Sequence, residues 1–289
     1  MKILSKPKGN AEEYGRWSVN PYLGCPNDCS YCYLKKGPGA KNMGGPSARM
    51  KAHIVNAEHA YHVAMAEIIE HREQIIKDGG LFFTFTSDPL IPETRNLNYT
   101  IANEAMMMHI PVTFLTKSDV CNVLYRHVAT HREMQLPLPT EDLYGQYAAF
   151  GWTLTGCDEL EKNAPKWTDR IGCMNGFHTA GFKVWASLEP VIDFKAAAKM
   201  FRYALGSGCQ HFKIGLLTDR TRVALGHYRK KYGDFLERDL NNFIDEIQEM
   251  NEGHRATIYW KQSIQQLTSR DLSALPNAVS KNWSMFNKQ

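Results

Sequence analysis

Cys25, Cys29 and Cys32 stand at C-x3-C-x2-C in the segment from Gly24 to Leu34, with Tyr31 just before the third thiol. As thiolates they can hold three irons of a [4Fe-4S] cube and leave the fourth iron open to another ligand. Two blander chemistries compete. A structural zinc site takes four ligands, usually as paired cysteines. This chain has no second pair, because Cys121, Cys157, Cys173 and Cys209 are scattered singly. Positions i, i+4 and i+7 also share a helix face, so three small residues could simply line a core. Gly24, Pro26, Asn27 and Asp28 argue for a loop instead. The spacing favours an iron–sulfur cluster, with zinc as the alternative.

Such a loop needs a scaffold, and the pattern supplies alternating strands and helices. A first strand is expected over Arg16 to Leu23, running into the cysteines. Apolar runs predict further strands at Leu81–Thr86, Pro111–Thr116, Ala148–Leu154, Phe182–Leu188, His211–Leu217 and Thr257–Trp260. Between them, helices are expected over Ile54–Lys77, Pro92–His109, Lys166–Ala180 and Asp234–Met250. Two more should follow the capping residues Asp119 and Asp193. Six βα units imply an α/β fold, either a partial barrel or an open doubly wound sheet. In both, chemistry collects at the C-terminal ends of the strands, where the cysteine loop also lies.

The stretch NPYLGCPNDCSYCYL (Asn20–Leu34) resembles the cluster loop of the radical S-adenosylmethionine (SAM) superfamily. Four weaker matches follow in family order: TSDPLIPE (Thr86–Glu93), FLTKS (Phe114–Ser118), WTLTGCDELEKNAPKWTDRI (Trp152–Ile171) and HTAGFKVWASLEPVID (His178–Asp193). Together they are similar to the spore photoproduct lyase-like, or DNA repair photolyase-like, branch. The resemblance implies a (β/α)6 partial TIM barrel over residues 16–218, after an extension over 1–15. Residues 219–289 would add a basic loop, a helix and a closing strand. It also implies a [4Fe-4S] cluster on Cys25, Cys29 and Cys32, SAM as cosubstrate, and an external one-electron donor of flavodoxin or ferredoxin type. Reductive cleavage of SAM would give a 5′-deoxyadenosyl radical that abstracts hydrogen from a substrate.

By the same resemblance, the backbone around Tyr31 meets the adenine. Thr86, Ser87 and Asp88 stand where the family has Gly-Gly-Glu for the SAM amino group. Lys117 and Ser118 follow the third strand, where Lys117 is expected to pair with the SAM carboxylate, and Thr153 and Thr155 are expected to reach the ribose. Tyr33 is a candidate for hydrogen relay. Glu189, a carboxylate directly after an apolar strand, is a candidate for SAM or substrate contact. Arg170 should brace Glu161 or the barrel. The branch's lyase carries a hydrogen-donating cysteine after the cluster, and no cysteine lies between Cys32 and Cys121 here.

With 289 residues, 43% of them hydrophobic, the chain can bury a sizeable core. Seven cysteines without a disulfide pattern fit a reducing compartment, and no apolar run of membrane-spanning length occurs, so a cytoplasmic protein is expected. A net charge of +4 permits an anionic partner. Two loops are basic. One carries Lys35, Lys36, Lys41, Arg49 and Lys51. The other carries Arg220, Arg222, Arg229, Lys230 and Lys231 among His227, Tyr228 and Tyr232. Cations interleaved with tyrosines suit phosphate contact and base stacking, so nucleic acid or a nucleotide is the leading substrate class. The alternatives are a peptide or small metabolite, or a metal-binding protein that binds nucleic acid without catalysis.

Overall fold

The computed structural model describes residues 2–36, 40–119, 145–217 and 236–286. Its framework is an eight-stranded sheet in the order β1 (Leu4–Ser5), β2 (Ser18–Val19), β5 (Leu81–Phe83), β6 (Val112–Thr116), β7 (Ala148–Thr153), β8 (Lys183–Val191), β9 (His211–Leu216) and β10 (Thr257–Trp260). Every pair from β2 to β10 is parallel, and β1 alone runs antiparallel, against β2. A separate hairpin joins β3 (Tyr22–Leu23) to β4 (Arg49–Met50). The mixed α/β class follows from the apolar strands, which are buried on both faces as parallel strands are.

Long helices follow the strands: α3 (Ala57–Glu70), α4 (Arg72–Lys77), α5 (Arg95–Met107), α6 (Trp167–Thr179), α7 (Phe194–Gly206) and α8 (Glu237–Asn251). The short helices are α1 (Tyr33–Lys36), α2 (Ala40–Met43) and α9 (Gln262–Gln265). Their apolar stripes meet one face of the sheet. Phe201 and Phe212, for example, pack with ring centroids 4.1 Å apart. The other face is aromatic and partly polar. Phe82, Ala149 and Trp185 lie there with Tyr14, Phe85 and Leu115, and the C-terminal Met285 and Phe286 pack against them. Trp185 crosses this face because Gly151 has no side chain, since a Cβ there would sit 2.1 Å from the indole.

Two expected elements are divided. The strand expected over Arg16–Leu23 breaks after Val19, where Pro21 has no N–H for a ladder. Asn20 instead donates to Ser5 and Ser18 and accepts from the backbone of Phe85. The helix expected over Ile54–Lys77 starts later, capped by Asn56, whose side chain accepts from His59 N at 2.8 Å. It breaks at His71 into α3 and α4. Lys166, Asp193 and the strands from Val112 onward match expectation to within a few residues. The helix expected after Asp119 lies outside the described residues.

Candidate functional site

The loop after β3 carries the cysteines across the C-terminal ends of the parallel strands. It is tied down there by the segment that follows β7. Cys29 bridges Glu161, Ser30 N donates to Leu160 O at 2.8 Å, and Asn163 N donates to Asn27 O at 3.2 Å. A second tie comes from Asp88. Its carboxylate accepts from Asn27 Nδ2 at 3.1 Å, Leu90 N at 3.0 Å, Thr116 Oγ1 at 2.6 Å and Lys117 N at 2.8 Å. One buried side chain thus joins the cysteine loop to the ends of β5 and β6. Beneath the loop, Arg170 and Glu161 form an ion pair at 2.6 Å with both side chains fully buried, as the sequence led us to expect. Tyr31 donates its hydroxyl to the same carboxylate. Burial, and then Glu161, pushes that phenol's pKa well up, which keeps it a donor.

Cys25, Cys29 and Cys32 are all free thiols, and all three line one cavity of about 570 Å³. That volume lies in the range of ligand pockets. Burial, and secondly the Asp88 carboxylate, pushes the Cys25 thiol up to about 12. Burial also raises Cys29, against the pull of Lys117. Thiolates in such a place need a cationic partner to neutralise them. Lys117 is one. Its amine is 4.0 Å from Glu161 and 5.6 Å from the Tyr31 ring centre. Burial opposes its charge, but Cys29 and Glu161 outweigh burial and raise its pKa.

The cavity also takes in Tyr31, Tyr33, Ser87, Asp88, Lys117, Thr153 and Glu189, so most of the expected site residues are brought together. Tyr33 is largely exposed and donates to Phe85 O. Ser87 Oγ is buried and has no hydrogen-bond partner among the described residues, a hydroxyl that a ligand could complete. Thr86, Ser118 and Thr155 do not line the cavity. Thr86 Oγ1 donates to Tyr22 O at 2.5 Å, Ser118 O accepts from Trp152 Nε1 at 3.1 Å, and Thr155 Oγ1 accepts from Cys157 N at 3.2 Å.

Opposite the cysteines the wall is charged in a way the sequence did not announce. Glu189 meets Lys261 Nζ at 2.5 Å and accepts from the Tyr14 hydroxyl, which also bonds Ser187 Oγ at 2.7 Å. Burial, and then Glu189, raises the Tyr14 pKa well above its ordinary value. Lys261 lies directly after the apolar strand β10, as Glu189 interrupts β8. The rule that singled out Glu189 would have found it too.

The basic stretch from Lys35 to Lys51, which includes β4, is less available than its composition suggests. Lys35 pairs with Asp28, Arg49 donates to the carbonyls of Gly44 and Asn42, and buried Lys51 donates to Lys2 O at 2.7 Å. Lys41 is exposed. Arg220, Arg222, Arg229, Lys230 and Lys231 lie outside the described residues. No described helix is long and apolar enough to cross a membrane.

Among the described residues no three His, Cys, Asp or Glu side chains converge closely enough to hold a single metal ion. The three cysteines line the same cavity as Lys117 and Ser87, so thiols, a cation and a hydroxyl are available to one ligand there.

No family model matches the chain, and no curated protein matches it. Solved structures do. A cysteine-to-alanine mutant of spore photoproduct lyase superposes with a TM-score of 0.57, and a cysteine-to-serine mutant with 0.58. Spore photoproduct lyase complexed with dinucleoside spore photoproduct gives 0.56. Each is 14% identical, over 89% of this chain and 79% of the other. At that identity the likeness is one of fold.

Proposed function

We propose that the chain is a radical SAM enzyme whose sheet curls into a partial barrel around the cavity, with nucleic acid or a nucleotide as substrate. The observation that carries this reading is the placement of all three thiols of C-x3-C-x2-C on the wall of one cavity, at the strand ends. The fold shared with spore photoproduct lyase supports it, and the dinucleoside bound by that protein supports the substrate class.

Cys25, Cys29 and Cys32 would hold a [4Fe-4S] cluster, and Ser87, Lys117, Thr153 and Glu189, which line the same cavity, would hold SAM. Bound there, the pair supplies one-electron cleavage of SAM to a 5′-deoxyadenosyl radical able to take hydrogen from a substrate. The protein's own part is to bind, orient and exclude water. Asp88 fixes the cysteine loop against β5 and β6. Lys117 offers a buried cation to a ligand carboxylate. Ser87 and Thr153 offer hydroxyls, and Glu189 an acceptor for a hydroxyl or ammonium donor. Tyr31 and Tyr33 flank Cys32, and the exposed Tyr33 is the one placed to meet a substrate.

Anaerobic reconstitution with iron, sulfide, reductant and SAM tests the reading. We expect 5′-deoxyadenosine to form, and its absence from protein with a full cluster would refute the enzyme. Binding of a short oligonucleotide should weaken with salt and be lost when Arg229, Lys230 and Lys231 are all changed to Ala. Equal binding by that variant would favour the peptide or small-metabolite alternative.

A further inference from the structure

Lys261 is almost wholly buried, yet it stands between two carboxylates. Its amine is 2.5 Å from Glu189 Oε2 and 3.1 Å from Glu13 Oε2. Glu13 is itself fixed. Its Oε1 accepts from Tyr259 at 2.8 Å and from Gln262 N at 2.9 Å, and its carbonyl accepts from Lys213 Nζ at 2.5 Å. Glu13 therefore holds the lysine from behind, and the lysine holds Glu189 from one side. Tyr14, the next residue along, donates to the same Oε2.

The other oxygen, Oε1, accepts no hydrogen bond from any described residue. The Glu189 side chain is 22% exposed and lies on the cavity wall. Space for this arrangement comes from Gly215 on β9. A Cβ there would lie 3.1 Å from Glu189 Oε1 and 2.9 Å from Lys261 Cδ. Three distant pieces of chain, at Glu13–Tyr14, Gly215 and Lys261, thus converge on the direction of one carboxylate.

We propose that Lys261, with Glu13 behind it and Tyr14 beside it, is a positioning residue that consumes Oε2 of Glu189 and presents Oε1 to the cavity as an acceptor for a hydroxyl or ammonium group of the bound ligand. The ligand's identity rests on the SAM reading above; the orientation of the carboxylate does not. A salt bridge that served only to bind β8 to β10 would not need one oxygen kept free. Once one partner of a buried pair is removed, the other charge is left exposed to neighbours it was shielded from.

Two measurements separate the inference from the reading it deepens. Crystal structures of the wild type, Lys261→Met and Gly215→Ala report the orientation whatever ligand is used. We expect Oε1 to face the cavity in the wild type and the carboxylate to rotate away from that orientation in Lys261→Met, where Tyr14 alone is left to hold it. An unchanged carboxylate in that variant would overturn the proposal. If Lys261→Met does not fold, Gly215→Ala retains every charge and should displace Oε1 by crowding alone, and an unmoved Oε1 there counts against the proposal equally.

Calorimetry with S-adenosylhomocysteine on the anaerobically reconstituted protein is the second. Glu189→Gln and Lys261→Met should each weaken binding about tenfold or more, the scale of a hydrogen bond to a charged group. The double variant should be no weaker than the worse single one, and Lys261→Arg should recover part of the loss. Additive losses, or wild-type affinity in Lys261→Met, would overturn positioning. Failure of the wild type itself to bind would refute the SAM reading, and the crystallographic result would then decide the positioning by itself.

Discussion

The cavity has two walls built by opposite means. The cysteine wall is assembled mainly from local sequence. Its three thiols fall within eight residues, and its braces come from two places, Asp88 after β5 and the Glu161–Arg170 pair after β7. The far wall is assembled from the extremes of the described chain, since Glu13, Tyr14, Glu189 and Lys261 meet only because β8, β9 and β10 lie side by side. A cluster loop can be a motif because its ligands must be set by one short piece of backbone. An acceptor aimed at a small organic ligand can draw on any strand end that reaches it.

The sharpest way to break this contrast is Cys29→Ala. We expect loss of cluster and of SAM cleavage while the melting temperature stays within a few degrees (~1 kcal/mol for a domain of this size). Cluster retention, or collapse of the fold, would show that the cysteine wall is not the simple ligand loop described. Arg170→Met comes next. It leaves Glu161 buried without its ion-pair partner, and should cost about 3–5 kcal/mol in chemical denaturation. Replacing Glu161 with Gln in the same chain should restore part of that. A loss under ~1 kcal/mol would mean that the pair does not brace the loop.

The far wall makes a prediction about pH. Burial, and then Lys261, lowers the Lys213 pKa to about 7, where its amine sits over the rings of Tyr14 and Trp185. Between that value and the ordinary lysine range the unfolded chain binds more protons than the folded one. Stability from this group therefore rises as pH climbs from about 7 toward 10. Thermal melts of Lys213→Met should show a smaller rise over that window than the wild type, and parallel curves would refute the assignment. The mildest test is Asp193→Ala, which removes the acceptor of Ala196 N at 2.7 Å from the start of α7, the helix that follows β8. It should cost about 1 kcal/mol and leave the cysteine wall untouched.

The sequence revealed the strands because they are apolar runs bounded by Gly, Pro and capping residues, and Trp167–Thr179 and Phe194–Gly206 begin where Lys166 and Asp193 predicted. It did not reveal the partners that Asn20 gains at the break after Val19, because Ile3, Ser5 and Phe85 are tertiary neighbours. Ser87, Asp88, Lys117, Thr153 and Glu189 could be placed near one another because they stand at or near the C-terminal ends of β5, β6, β7 and β8. Which of them faces the cavity could not. Asp88 spends its carboxylate on four protein donors, while the Ser87 hydroxyl beside it has no partner among the described residues. Glu13 and Tyr14, in a segment expected to be a mere extension, carried no pattern at all before β8 to β10 placed Glu189 and Lys261 against them.

The proposed chemistry depends most on a metal cluster that Cys25, Cys29 and Cys32 alone would hold, leaving one iron open to SAM. Electron paramagnetic resonance of the reduced, anaerobically reconstituted protein, recorded before and after SAM is added, tests this most directly. We expect about four irons and four sulfides per chain and a spectrum that changes on addition of SAM. Protein carrying zinc in place of iron, or a cluster whose spectrum SAM leaves unaltered, would contradict it.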